Sequence, residues 1–364
     1  MIGSIIAISI AFAGLLLFER DLPTEVVDAQ YANAQSQFLR TDANDRIHFR
    51  DQGPNDAIPV VLIHGANGSL HNFETWAEKL SNRYRVISLD LPGHGLTGAT
   101  ATDRYGTDSD IATIRAVTDH LAIERFVLAG HSMGGGIAMA FAEDSSDQLI
   151  GLVLIGSVVP WRSRGAEPEA ADQSAKEVRA EDVADTTDVD NDASASEQNR
   201  PGRRTSSPLS MLRLPSASLI GRYVDPALLA ERAARSAYGN QEMVTDEIVQ
   251  RYIDLSLRKG SRAALFKRMA SRNRQATPPP TFSGPVLIQW GSDDTWTPPN
   301  LIQPLVEAFP QASVVVYEET GHLPMEENPA PSVKDLLSFL DSISGAQLAD
   351  IDDTTTELPV ENDD

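Results

Sequence analysis

Through the middle of the chain, short apolar runs recur: "IPVVLI" at 58–63, "YRVISL" at 84–89, "FVLAG" at 126–130, "LIGLVLI" at 149–155, "PVLIQW" at 285–290 and "SVVVY" at 313–317. A strand with one wet face alternates apolar and polar residues, whereas these runs are continuous. That is the pattern of strands covered on both faces, so they predict a parallel sheet. Intervening segments carry helical spacing, as at Val333, Leu336, Leu337 and Leu340. The alternation predicts a doubly wound, mostly parallel α/β domain. Ahead of it, "FLRTDANDRIHFRDQG" at 38–53 reads as an antiparallel edge hairpin.

The alternation stops after Gly156 and resumes at Pro285. Within the gap, Asp225 before Pro226 has the form of a helix N-cap, and Val244, Ile248, Tyr252 and Leu255 fall on one helical face that ends at Gly260. These signals predict a helical lid over residues 160–280, inserted into a core of 21–159 and 281–345. Ligands of an open α/β sheet bind beyond the carboxyl ends of its strands, where such an insertion would cover them.

Two stretches have no period at all. Residues 165–199 hold 11 acidic and 2 basic residues, and residues 346–364 hold 7 acidic and none basic. They carry most of the formal net charge of −22, and neither has an aromatic residue. Such composition cannot bury enough apolar surface to offset its ordering entropy, so both are expected to be disordered and solvated. No basic stripe is available to neutralise phosphates, which argues against nucleic acid as a partner.

At the other extreme, residues 2–18 are 17 residues without a charge. As a helix they would span about 25 Å, near the lower limit for a bilayer. A cleaved signal peptide would need a basic start and a nearby small-residue site. Neither is present, and the expectation is an uncleaved single-pass anchor at 1–20 and localisation at a membrane. The charges around the run define its orientation poorly, with an extracytoplasmic catalytic domain preferred. The chain contains no cysteine, which excludes disulfides, thiolate metal sites and a cysteine nucleophile.

"LAGHSMGGGIAM" at 128–139 concentrates glycine around one hydroxyl. A strand turning sharply into a helix strains its middle residue, and glycines on either side let neighbouring backbone approach. Ser132 would stand bare at that turn, with the Met133 amide at the helix N-terminus ready for a developing oxyanion. A serine needs a base. "LIHGANGS" places the Ala66 amide after the first central strand as a second oxyanion donor, "LIQWGSDDTWTP" places Asp294 beyond a later strand, and "ETGHLPMEENP" places His322 after the last. The order Ser, Asp, His is the one this topology uses.

With "HGANGS", "DLPGHGLTG", "GHSMGG", "WGSDDTWTP" and "GHLPMEENP" in that order, residues 36–342 resemble the α/β-hydrolase family, in particular its serine-nucleophile members with a helical lid. The resemblance implies Ser132 as nucleophile, His322 as general base, Asp294 as its orienting acid, and Ala66 and Met133 as oxyanion donors. Asp293 competes with Asp294. The family usually places its acid three residues after the glycine of this stretch, which selects Asp294. No metal or organic cofactor is required. His64, His94 and His131 read as structural, and Phe73, Trp161, Trp290 and Trp296 as candidates for the acyl pocket or the core. The expected activity is hydrolysis of small or medium carboxylic esters through an acyl-enzyme. Alternatives are a carbon–carbon bond hydrolase of the same fold and a non-catalytic, membrane-tethered binding protein. An aspartate in place of Ser132 would mark epoxide or halide chemistry, so those activities are not expected.

Overall fold

A computed structural model describes residues 20–161, 227–271 and 278–355, with backbone alone for 227–230 and 346–355. Its centre is one eight-stranded sheet of β1 (Ser36–Arg40), β2 (Arg46–Gln52), β3 (Pro59–Ile63), β4 (Arg85–Leu89), β5 (Phe126–His131), β6 (Leu149–Ile155), β7 (Val286–Gly291) and β8 (Ser313–Tyr317). The spatial order is β1-β2-β4-β3-β5-β6-β7-β8. The edge hairpin pairs antiparallel, with Ser36 opposite Arg50, and β2 joins β4 antiparallel. From β4 to β8 every pairing is parallel.

Both faces of the central strands are covered, whereas edge strand β8, expected to be covered as well, leaves Val314 and Val316 exposed because no strand follows it in the sheet. Val61, Ile63, Ile87 and Leu128 pack with Ile114 and Val117 of α3 (Thr107–His120) and with Ile137 and Phe141 of α4 (Met133–Asp144). Their strand neighbours Val60, Leu62, Val86 and Val127 pack on the opposite face with Trp76 and Leu80 of α2 (Glu74–Leu80) and with Val333, Leu336 and Leu340 of the last helix. Because alternate residues of one strand feed two separate cores, nearly every position is apolar, and a polar exception such as Gln289 of β7 is buried with partners, Tyr317 and Ser332.

Between β6 and β7, the described part of the insertion holds α5 (Ala227–Ala237), α6 (Asp246–Leu257) and α7 (Ser261–Ser271). The Thr245 hydroxyl caps α6 by accepting from the Ile248 amide, and the chain leaves it at Arg258, two residues before Gly260 with its φ of +86°. Arg268 of α7 is buried against the core, donating to both oxygens of Asp110 on α3 and to the Pro92 carbonyl. The predicted cap at Asp225 and the acidic stretch 165–199 lie outside the described residues.

After β7 come α8 (Ile302–Ala308), α9 (Pro324–Glu327) and α10 (Pro329–Thr355). The backbone of α10 runs ten residues into the stretch expected to be disordered. Ala346, Gln347, Leu348 and Ala349 are strong helix formers and carry the helix beyond its last packed turn at Ile343. Residues 356–364 lie outside the described set.

The expected membrane anchor is corrected. Among the described residues no helix is long and apolar enough to cross a membrane, and residues 1–19 lie outside them. The next stretch of chain, from residue 20, is a polar segment fastened to the insertion. The Leu22 amide donates to the Leu257 carbonyl at 2.7 Å, the Lys259 amide to the Leu22 carbonyl at 3.0 Å, and Arg262 pairs with Asp21 at 2.6 Å. Asp28 of α1 (Thr24–Tyr31) then takes both Arg258 and Arg46.

Candidate active site

Ser132 stands between the end of β5 and the start of α4 at φ 51°, ψ −114°, a left-handed conformation that costs a non-glycine residue about 1–3 kcal/mol. The surroundings hold it there. Its amide donates to the Ile155 carbonyl at 2.8 Å, and its carbonyl accepts from Gly135 and Val158, both at 3.1 Å. The flanking glycines are sterically required: a Cβ on Gly130 would collide with the Gly134 carbonyl, and one on Gly134 would lie 2.5 Å from the carbonyl oxygen of Ile63. Met133 opens α4, so its amide is among the four helix-terminal donors that no intrahelical carbonyl satisfies.

The loop after β3 passes directly over this turn. A Cβ on Gly65 would lie 3.0 Å from the Ser132 Cβ. Ala66 comes next, exposed, before Asn67 turns the chain at a φ of 56°.

Asp294 and His322 meet from the ends of β7 and β8. The ring Nδ1 lies 2.8 Å from Asp294 Oδ2, and both side chains are buried. The other carboxylate oxygen accepts from the amides of Trp296 and Thr297, each at 2.9 Å, which fixes its rotamer. Asp293 is exposed and takes the hydroxyl of Ser292 instead. The local path "GSDD" therefore turns one acid inward and its predecessor out. The tight turn shows in Gly291, where any Cβ would strike the carbonyls of Thr320 and Gly321.

Thr297 is a site residue that the motifs did not reveal. Its hydroxyl lies 2.7 Å from Asp294 Oδ2, 3.1 Å from His322 Nδ1 and 2.8 Å from the Gly156 carbonyl, so it closes a triangle with the Asp294–His322 pair. A hydroxyl three residues beyond the acid was the available signal.

His131, His64 and His94 are buried and bound to backbone. His131 donates from Nε2 to the His322 carbonyl at 2.8 Å, while burial and the neighbouring His322 lower its pKa well below the ordinary imidazole range. His64 donates from Nδ1 to Gly65 and accepts the Leu91 amide at Nε2, and burial lowers its pKa as well. His94 donates to Pro92, with its pKa lowered by burial and then by His64. Each is neutral near pH 7 and acts as a turn support.

Of the four aromatic candidates, Phe73, Trp161 and Trp290 belong to the two cores. Trp296 is 40% exposed and stacks on the His322 ring at 5.5 Å. Beside the loop after β3, a shallow cleft with a cavity volume of only about 30 Å³ is lined by Asn67 and Gly68, by His94 from the loop after β4, and by Leu255, Ser261 and Leu265 of the insertion.

Comparison with known proteins agrees with this architecture. Residues 58–329 match the family model described as alpha/beta hydrolase fold. The 2-hydroxy-6-oxononadienedioate/2-hydroxy-6-oxononatrienedioate hydrolase of Paraburkholderia phymatum is 25% identical over 327 residues, which cover 87% of this chain and 97% of that protein. The magnesium-chelatase 30 kDa subunit of Rhodobacter capsulatus is 36% identical over 124 residues, but the match spans only 32% of this chain and 44% of the subunit. Among solved structures, a thermophilic esterase from Thermogutta terrifontis superposes with a TM-score of 0.59 at 24% identity, over 85% of this chain and 99% of the esterase.

Proposed function

On the premise that this chain belongs to the alpha/beta hydrolase fold family, we propose that it is a serine hydrolase that cleaves carboxylic esters through an acyl-enzyme. One observation carries the reading: a strained, glycine-flanked Ser132 at a helix N-terminus, whose neighbour His131 binds the carbonyl of His322, itself paired with buried Asp294.

In the proposed reaction, Ser132 Oγ attacks the ester carbonyl while His322 Nε2 takes its proton. The Nδ1 proton stays directed at Asp294, which fixes the tautomer and stabilises the imidazolium. The amides of Met133 and Ala66 receive the oxyanion. Collapse of the tetrahedral intermediate breaks the carbon–oxygen bond, and the imidazolium returns its proton to the departing alkoxide. Water, deprotonated by His322, then attacks the acyl-enzyme and restores Ser132. In this reading α6 and α7 of the insertion serve as the lid over the substrate.

A second reading, carbon–carbon bond hydrolysis, is favoured by the likeness to the Paraburkholderia hydrolase over 97% of that protein. Both readings use the same serine and base. A panel of p-nitrophenyl esters of graded chain length, run beside a vinylogous diketone acid, separates them: the ester reading expects turnover of esters and none of the diketone. A fluorophosphonate adduct mapped to Ser132 is expected under either. No adduct and no turnover would leave a binding protein.

A further inference from the structure

The carboxylate of Glu327, five residues beyond His322, is bound by three backbone amides. Its Oε1 accepts from Gly321 at 2.9 Å; its Oε2 accepts from Gly239 at 2.8 Å and from Asn240 at 3.2 Å. The first amide belongs to the residue immediately before His322. The other two belong to the segment that leaves α5, whose Ala237 carbonyl takes the His322 amide at 2.6 Å. The two backbones also touch directly. A Cβ on Gly321 would lie 2.5 Å from the Ala237 oxygen, and one on Gly239 would lie 2.9 Å from the Gly321 nitrogen.

His322 is therefore held at its backbone from two sides, by Ala237 through its amide and by His131 through its carbonyl. Glu327 ties the piece of chain that supplies the first of these holds to the piece that carries the ring. We propose that Glu327 is a positioning residue for His322, and that it makes the inserted segment 237–240 part of the mounting of the base. The proposal rests on the hydrolase reading of His322.

A carboxylate is specifically required. It offers acceptors on both oxygens and carries no hydrogen, whereas a glutamine in the same pose would point an N–H at one of the two amide groups. The loop would have to shift, and displacing a catalytic group by about 1 Å can cost on the order of a hundredfold in rate.

The test compares Glu327→Gln, Glu327→Asp and the parent enzyme by kinetics on an activated ester and by the downfield NMR signal of the proton shared between His322 and Asp294. Expected for Glu327→Gln is a kcat about a hundredfold lower with KM changed less than about threefold, and a downfield signal that is moved or broadened while the melting temperature stays within about 5 °C of the parent. Glu327→Asp, which keeps both oxygens, should recover part of the loss. A folded Glu327→Gln protein with parental kcat and parental signal would reduce Glu327 to a tether and overturn the proposal. If Glu327→Gln does not fold, Gly239→Ala wedges the same two backbones apart with the carboxylate intact and decides by the same readouts. Unfolding of both variants would also overturn it, by making the contact a condition of folding. The NMR signal is read without substrate, so a wrong substrate class and a wrong role for Glu327 give different results.

Discussion

Two groupings of serine, histidine and aspartate stand among the described residues, and their contrast separates hydrogen bonding from reactivity. In one, His48 Nδ1 lies 2.7 Å from Asp90 and its Nε2 lies 2.9 Å from the Ser36 hydroxyl. In the other, the one proposed to be catalytic, His322 Nδ1 lies 2.8 Å from Asp294, and the His322 carbonyl is bound by His131, the residue before Ser132. Residue types and aspartate–histidine distances are nearly the same. The surroundings of the hydroxyls are not. Ser36 opens an ordinary edge strand, and its oxygen also accepts the Asn33 amide. Ser132 is held at a positive φ against the first turn of a helix. Asp90 is spent on structure, accepting the amides of Leu70 and Leu96 and so joining β2 to two loops. On the proposed function, the difference lies in the backbone: hydrogen-bonded side chains alone make a support at Ser36, whereas the strained turn at a helix N-terminus sets Ser132 up for chemistry.

The largest expected effect that sharpens this contrast is at the serines. Ser132→Ala should lower ester turnover by on the order of a millionfold and abolish fluorophosphonate labelling, whereas Ser36→Ala should leave both unchanged. Parallel rates and intact-mass spectra decide, and labelling that depends on Ser36 would break the comparison.

The acids should separate next. Asp294→Asn is expected to cost roughly ten-thousandfold in kcat at little cost in stability, because it keeps the geometry and favours the wrong imidazole tautomer. Asp90→Asn should instead lower stability by about 3 kcal/mol, as it breaks a buried pair, and leave kcat largely intact in the folded fraction. Burial, the largest single influence, would raise the Asp90 carboxyl, but the hydrogen bond and charge of His48, with smaller contributions from His64 and His71, together outweigh it and hold the carboxyl below the ordinary range. With the folded value depressed, this stabilisation is full above the unfolded carboxyl pKa of about 4 and is lost as pH falls toward the folded value. Denaturant melts should therefore show the widest gap between Asp90→Asn and parent near neutrality, narrowing below about pH 4.

Thr297→Val should have a smaller effect, about tenfold in kcat, equivalent to one lost buried hydroxyl contact of about 1.4 kcal/mol. The smallest is Asp293→Asn, which removes an exposed carboxylate and should change kcat by a few fold at most. If Asp293→Asn were the crippled variant, the acid would lie one residue earlier than the geometry places it.

How far each residue could be read from the sequence depends on whether its role is local. The strands were legible to within a residue, as at 58–63 against Pro59–Ile63 and 285–290 against Val286–Gly291, because strands buried on both faces leave an unbroken apolar signature. The turn at Ser132 was legible because its requirement for glycine is local. Thr297 offered only a hydroxyl three residues beyond the acid, and Glu327 offered less, since its link to Gly239 and Asn240 joins segments 88 and 87 residues apart. The polar segment 20–32 gave no sign of docking, because its partners Arg258 and Arg262 lie more than two hundred residues away.

That separation sets an order in time. A ribosome releases Asp28 fully 230 residues before Arg258, and at about 5–20 residues per second the carboxylate waits roughly 10–50 seconds for its partner. Meanwhile the sheet gains β1 to β6, and only after α6 is made can the start of the chain be clasped to the insertion. The clasp of Leu22, Asp21 and Asp28 is thus a late closure in biosynthesis, joining the oldest described residues of the polypeptide to helices more than two hundred residues further along it.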